Sequence, residues 1–376
     1  MKSPLVIIAS VLLLGPAIGL PQTGPILGAK VYRPVRAPAE LVQFAKSLGV
    51  NTLFVGDELA HSQLFREACR TAGLKYFLII RTFNDPEAAQ QDPTLVSIDR
   101  EGRPARRGDD VMICPSRADF RRQKLRRIRA AIERIQPDGV TLDYFRYFIY
   151  WEAVDPLKGP GDFPAFCFDG RCVRDFLNAT KVQLRTGLPY DPTAVPRELI
   201  EDIWREHREA WYDWRAKRIA DDAADFTGFI RKQFPGLPIV LHAVPWTRDE
   251  FDGAREKIVG QDLRLLASSF DYVSPMAYSA LTHRGPGWVE RLDRELLQEV
   301  PAGKLLPSIE VGPDGPEFPP MSAAHYESDL NAALASKTGV VLYHLELLLN
   351  DSDKQAITQR VLSDLRKGPG KSSAVR

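Results

Sequence analysis

Eight short apolar runs, each separated from the next by a stretch with helical patterning, constrain this chain more than any other feature. They are AKVYRP (29–34), NTLFVG (51–56), KYFLIIRTF (75–83), GVTLDYFRY (139–147), PIVLHAVPW (238–246), DYVSPMAYS (271–279), KLLPSIEVG (304–312) and GVVLYHLELL (339–348). Turn residues introduce several of them, as in PDG, FPGLP, AGK and KTG. The intervening stretches APAELVQFAKSLG and HSQLFREACRTAG are amphipathic and end in glycine, a common helix stop. Strands alternating with helices form βαβ units and hence a parallel sheet. Runs that are apolar almost throughout fit strands covered on both faces. Eight such units predict an α/β chain of the (β/α)8 TIM-barrel class. An open doubly wound sheet is the alternative, but no G-x-G-x-x-G follows the first strand.

Two insertions interrupt the pattern. The first spans about residues 84–115. The larger is helical, follows strand 4, and spans about 148–237. Both fall on βα connections, the face of a barrel that carries active sites. The barrel is expected over 29–366, followed by a disordered tail at 367–376, KGPGKSSAVR. The 376 residues are 44% hydrophobic and 26% charged with a net charge of +1, which suits a globular domain. That charge argues against a dedicated nucleic-acid binder. Met1-Lys2 followed by SPLVIIASVLLLGPAIGL reads as a signal peptide, residues 1–19, with small residues at Ala17 and Gly19. An uncleaved membrane anchor is the alternative, although Gly15 and Pro16 break the run near its end. Export to the periplasm or the extracellular space is therefore expected, with no stable membrane insertion after cleavage.

An exported chain meets an oxidising compartment, so its four cysteines, Cys69, Cys114, Cys167 and Cys172, are free to form disulfides. Cys167 and Cys172 enclose a short loop and could pair, but four cysteines allow three connectivities. C-x4-C without a matching second pair is a poor zinc signature, and no metal or other cofactor is expected.

Period-2 alternation indicates which polar side chains reach the barrel mouth. Thr141 and Asp143 share one face of strand 4. Val240, His242, Val244 and Trp246 share a face of strand 5; Ser274, Met276 and Tyr278 one of strand 6. Leu306, Ser308 and Glu310 do so in strand 7, and Leu342, His344 and Glu346 in strand 8. Arg33 ends the first strand and Arg81 nearly ends the third. Carboxylates among aromatics are what glycoside hydrolysis requires, one to protonate the leaving oxygen and one to attack the sugar or activate water. On this reading Asp143 and Glu310 are catalytic. Arg33, Arg81, Tyr144, Arg146, His242, Trp246, Tyr278, His344 and Glu346 bind substrate. Trp204, Trp211 and Trp214 have the spacing of a helix packing face. The arginines of RADFRRQKLRRIRAAIERI form a solvated outer face. No G-x-S-x-G, H-E-x-x-H or P-loop pattern is present.

Three segments carry a resemblance. MICPSRADFRRQKLRRIRAAIERIQPDGVTLDYFRY, FDYVSPMAYS and FCFDGRCVRDF together resemble bacterial glycosyl-hydrolase-like (β/α)8 barrels, over roughly residues 29–350. That family is related to the α-amylase and α-galactosidase groups. The resemblance implies action on polysaccharides, with Asp143 as nucleophile or main catalytic carboxylate. The chitinase pattern DG-x-D-x-D-x-E would need acids at Thr141 and Phe145, and the acid/base expected near strand 6 of α-galactosidases has no counterpart in SPMAYS. Glu310 is the substitute on geometric grounds.

The expectation is thus an exported glycoside hydrolase acting on a polysaccharide or cell-envelope glycan by paired carboxylates, with no nucleic acid as partner. Two alternatives are a non-catalytic glycan-binding barrel and a metal-dependent hydrolase built on His242, His344, Asp143 and Glu310.

Overall fold

The computed structural model describes residues 24–154, 163–184, 195–313, 315 and 318–367. The expected signal peptide and the tail beyond Lys367 lie outside the described residues. Eight parallel strands close into a barrel: β1 (Ile26–Val31), β2 (Thr52–Val55), β3 (Lys75–Arg81), β4 (Gly139–Asp143), β5 (Ile239–Ala243), β6 (Tyr272–Ala277), β7 (Ser308–Glu310) and β8 (Gly339–Tyr343). They pair in chain order, and β8 returns to β1 with Leu27 opposite Val340. Seven of the expected apolar runs contain one strand each, and the first overlaps β1, which begins earlier at Ile26, so the (β/α)8 expectation holds. Among the described residues no helix is long and apolar enough to cross a membrane.

The outer helices form where the sequence offers caps and a buried stripe. Helix α1 is Pro38–Ser47, with proline at its first turn. Helix α2 (Gln63–Ala72) is capped by the Ser62 hydroxyl, which accepts from the Phe65 N–H. It ends at Gly73, whose φ of 71° is left-handed. The short α3 (Pro86–Gln91) is capped by Asp85. The long α4 (Ala118–Ile135) buries Phe120, Ile128, Ile132 and Ile135 against the barrel.

Inside the barrel, Ile26, Phe54, Phe77, Ile79, Val240, Leu306 and Val341 make an apolar plug. Two glycines make room for it. A Cβ at Gly28 would lie 2.7 Å from the Phe54 ring, and one at Gly139 2.6 Å from Phe77. Burying each ring contributes about 2–3 kcal/mol. Two residues further along the same strands comes a polar layer of Lys30, Thr141, His242 and Ser308, all buried. The barrel is therefore closed at one end by hydrocarbon and polar towards its mouth.

The insertion after β4 contains α5 (Gly170–Thr180), α6 (Arg197–Glu206) and α7 (Arg208–Gln233). Trp211 of α7 stacks on Phe168 at 4.5 Å and meets Phe176 of α5 edge-on at 4.9 Å. The tryptophans are a packing face, as their spacing predicts. On α4, Arg122, Arg126 and Arg129 are exposed as expected. Arg121, Lys124 and Arg127 are not part of that solvated face: Arg121 reaches Asp222 on α7, and the other two hold Asp85.

Candidate active site

Strand β4 ends at Asp143, and the chain leaves it through Tyr144, whose φ of 50° lies in the left-handed region. This turn lets the Tyr144 N–H donate to Asp143 Oδ1 at 2.7 Å. On the neighbouring strand, His242 places Nδ1 3.1 Å from Asp143 Oδ2. Burial alone would raise the Asp143 pKa, but His242, the nearby Lys30 and the Tyr144 N–H outweigh it and hold the carboxyl well below the usual range. His242 is itself drawn below its ordinary value by burial and by Lys30, against the opposing pull of Asp143.

Glu152 has the opposite environment. It sits on a 3₁₀ turn, Trp151–Ala153, and its Oε2 is buried with no hydrogen-bond partner among the described residues. Burial pushes its pKa up to about 7, against the pull of Arg146 and with help from the charges of Asp110 and Asp143. Asp143 and Glu152 line the same cavity, which has a volume of about 380 Å³.

The cavity wall is aromatic and cationic. Tyr278 and Tyr343 stack at 4.4 Å, and Trp151 approaches Tyr278 at 5.8 Å. Lys30 donates from Nζ to the Tyr278 hydroxyl at 2.9 Å. Its burial lowers its pKa to about 7, although Asp143 opposes this. The Tyr144 ring lies between the guanidinium groups of Arg81 and Arg146, at 5.3 and 5.2 Å, and its hydroxyl donates to Asp110 Oδ2 at 3.1 Å. Arg81 pairs with the same Asp110. Arg146 also donates to the carbonyls of Tyr147 and Ile149, which fixes the turn leading to Glu152.

Of the residues expected at the mouth, Arg33, Arg81, Asp143, Tyr144, Arg146, Tyr278 and His344 line this cavity. Four others are placed elsewhere. His242 stands behind Asp143, within the barrel. Glu346 lies behind His344: its Oε2 meets His344 Nδ1 at 2.8 Å, while its Oε1 accepts from the Tyr32 and Arg33 N–H groups at 2.8 Å each. It ties β8 to the end of β1. Trp246 lies three residues past the end of β5, where alternation no longer applies, and stacks on Phe163 at 6.0 Å. Glu310 is buried, and its carboxylate accepts from the N–H groups of Ala280 and Leu281 beyond β6. Its burial pushes its pKa up to about 7.

The inward face of β8 is Val341 and Tyr343, not Leu342. Leu342 belongs to the outer core, and His344 reaches the cavity from the cap of the following short helix. His242, His344, Asp143 and Glu310 do not converge on one point. His242 faces Asp143, His344 faces Glu346, and Glu310 faces backbone, which removes the basis for a metal-dependent hydrolase. Lys30, Tyr32, Trp151, Glu152, Met276 and Tyr343 also line the cavity and were not among the candidate site residues, although alternation puts Met276 on the same face of strand 6 as Tyr278. Lys30 had a signal, a lone cation inside an apolar strand. Glu152 directly follows the aromatic run YFIYW but precedes any regular element.

Neither a protein-family model nor a curated protein sequence matches the chain. Solved structures do. The chain is similar to the PgaB (BpsB) glycoside hydrolase domain from Bordetella bronchiseptica, with a TM-score of 0.65 at 12% identity over 89% of this chain and 98% of that one. It is similar to a beta-galactosidase from the psychrophilic Marinomonas ef1, with a TM-score of 0.63 at 14% identity over 90% of this chain and 59% of that one. A third is the catalytic domain of a beta-amylase from Paenibacillus polymyxa, with a TM-score of 0.59 at 11% identity over 92% of this chain and all of that one, 100%. At these identities the likeness establishes the shared TIM-barrel fold.

Proposed function

We propose that this protein is an exported glycoside hydrolase acting on a polysaccharide or cell-envelope glycan. One observation carries the reading: two carboxyl groups in one barrel-mouth cavity are driven apart in acidity, Asp143 down and Glu152 up to about 7. Such separation marks an ionised group and a protonated one at the same pH. Glu152 protonates the glycosidic oxygen as the bond to the anomeric carbon breaks. Asp143 either attacks that carbon, in which case water gives its proton to the Glu152 carboxylate and breaks the Asp143–sugar bond, or it takes the proton of the attacking water and passes it to solvent while Glu152 regains one from solvent. The stacked pair Tyr278 and Tyr343 offers a flat surface to a sugar ring. Lys30, Arg33 and Arg146 face hydroxyl, carboxylate or acetyl oxygens. The barrel fold shared with the B. bronchiseptica domain, the beta-galactosidase and the beta-amylase supports the class of chemistry. The apolar segment 1–19 supports export.

The test is hydrolysis of a polysaccharide panel that includes uronate-bearing and envelope glycans, by the wild type, Asp143→Asn and Glu152→Gln. Reducing ends released by the wild type and lost in both variants, with circular dichroism unchanged, is the expected result. Glycan binding without cleavage by the wild type would instead make the protein a non-catalytic binding barrel.

A further inference from the structure

Three of the four cysteines meet at a point the proposed chemistry does not use. Cys114 lies in the connection before α4, Cys167 in the loop entering α5, and Cys172 in the first turn of α5. Their sulfurs and a carboxylate oxygen of Asp169 all lie within 4.8 Å of one another. Cys114 Sγ is 3.1 Å from Cys172 Sγ, and Cys167 Sγ is 3.1 Å from Asp169 Oδ2. All three thiols are buried, and none of the four cysteines forms a disulfide. The Cys167–Cys172 pairing that the short loop allows is therefore not formed.

Asp169 divides its carboxylate between two tasks. Oδ1 accepts from the Arg171 and Cys172 N–H groups, each at 2.9 Å, and so caps α5. Oδ2 is turned towards the thiols. A disulfide would use two of the sulfurs and leave the third, with a carboxylate oxygen, in the same buried volume. A tetrahedral cation uses all four donors. Zinc takes thiolate sulfur at about 2.3 Å and carboxylate oxygen at about 2.0–2.2 Å, so its ligand atoms stand about 3.4–3.8 Å apart. The observed cluster needs only small side-chain shifts to meet that geometry.

We propose that Cys114, Cys167, Asp169 and Cys172 form a structural zinc site. Its four ligands are all protein groups, as in closed, non-catalytic sites. Three thiolates and a carboxylate around Zn²⁺ carry a net charge of −2. The fully buried Arg215 supplies a cation beside Cys167 and Cys172. It is held by the Lys257 and Ile258 carbonyls at 2.8 and 2.9 Å and stacks on Tyr147. Binding releases the thiol protons to solvent. The ion adds a cross-link between the connection from β3 to α4 and the insertion after β4, which also meet through the Phe168 N–H donating to the Ile98 carbonyl at 2.9 Å.

The sequence concealed this set because its ligands do not follow a paired C-x2-C pattern. Cys114 is far from the others in the chain, and Asp169 is hidden inside C-F-D-G-R-C.

The test is metal analysis of the full chain purified under a thiol reductant and supplied with zinc, followed by cobalt exchange. One zinc per chain is expected, with a thiolate-to-cobalt charge-transfer band on exchange and a lower melting temperature after chelation. Cys167→Ser loses the metal and the band, while Cys69→Ser keeps both. Should Cys167→Ser not fold, Asp169→Asn retains the capping oxygen and should weaken zinc retention against a chelator about tenfold or more. Substoichiometric zinc with no cobalt band from the reduced chain overturns the proposal. So does retention of full zinc by Cys167→Ser and Asp169→Asn.

Discussion

His242 Nδ1 lies 3.1 Å from Asp143 Oδ2, one strand across from it inside the barrel. The imidazole is fully buried and the carboxylate lines the cavity, so on the proposed mechanism the histidine positions the acid without facing substrate. In His242→Ala, Asp143 loses this neighbour and gains a void behind it. A fall in kcat/KM of about 10–100-fold and a loss of about 2–4 kcal/mol of stability are expected. His242→Asn, whose amide nitrogen can occupy the Nδ1 position, should restore most of the activity. Steady-state kinetics and urea unfolding of both variants check this, and equal activity in the two would sink the positioning role.

On the proposed mechanism Glu152 sets the alkaline limb of the activity profile. Its pKa is raised to about 7 by burial, so kcat/KM should fall as pH rises through about 7, and Glu152→Gln should reduce kcat by about 10²–10⁴-fold. Stability moves with it. In the unfolded chain Glu152 titrates near 4.3. Between that value and about 7 the native state holds the extra proton, so its contribution is complete at low pH and is lost as pH rises. Above pH 7, Glu152→Gln should therefore be more stable than wild type by about 1–3 kcal/mol, after allowance for partial solvent screening. Melting temperatures at pH 5 and pH 8 read this difference.

Lys30 behaves as the mirror case. Burial lowers its pKa to about 7, so its charged form is penalised in the native state. Below pH 7 that penalty is fully present, and it disappears as pH rises towards the unfolded value near 10.4. Lys30→Met should stabilise the fold at pH 6, by about 1–3 kcal/mol, with the gain shrinking at pH 9. Because Lys30 also faces the cavity beside Asp143, the same variant should raise KM. A stability gain that grew with pH would contradict the assignment.

Glu310 and Asp143 should separate cleanly on mutation. The Glu310 carboxylate holds the Ala280 and Leu281 N–H groups, and a neutral amide can accept the same bonds. Glu310→Gln should keep activity within about tenfold of wild type, while Glu310→Ala should lose about 2–4 kcal/mol of stability. Asp143→Asn should do the reverse, keeping the fold and losing turnover. A Glu310→Gln variant that folds normally yet loses all activity would return Glu310 to the chemistry.

Much of the architecture was legible in the amino-acid order because it rests on local periodicity. Apolar runs such as KYFLIIR and GVVLY form strands, and eight of them separated by helical stretches leave little but a closed parallel barrel. The same alternation placed Asp143 at the end of β4 and Met276 on the inward side of β6, since side-chain direction within a strand follows from the backbone alone. Where the strand stops, that argument stops. Trp246 lies past Ala243 and Glu346 past Tyr343, and both turn away from the cavity to pack or to clamp backbone.

The partner of Asp143 was decided only by the tertiary structure. Glu310 and Glu152 are both carboxylates near the mouth in chain terms. One is captured by two N–H groups from the next strand's loop, and the other is left in the cavity with its Oε2 unpartnered among the described residues. Desolvation and proximity to Asp143 depend on atoms far away in sequence, so no spacing rule could choose between them. Cys114 and Cys172 meet for the same reason. The order of residues determined the barrel and the strand that carries the acid. The closing of that barrel determined which groups lie side by side, because burial and charge act through space rather than along the chain.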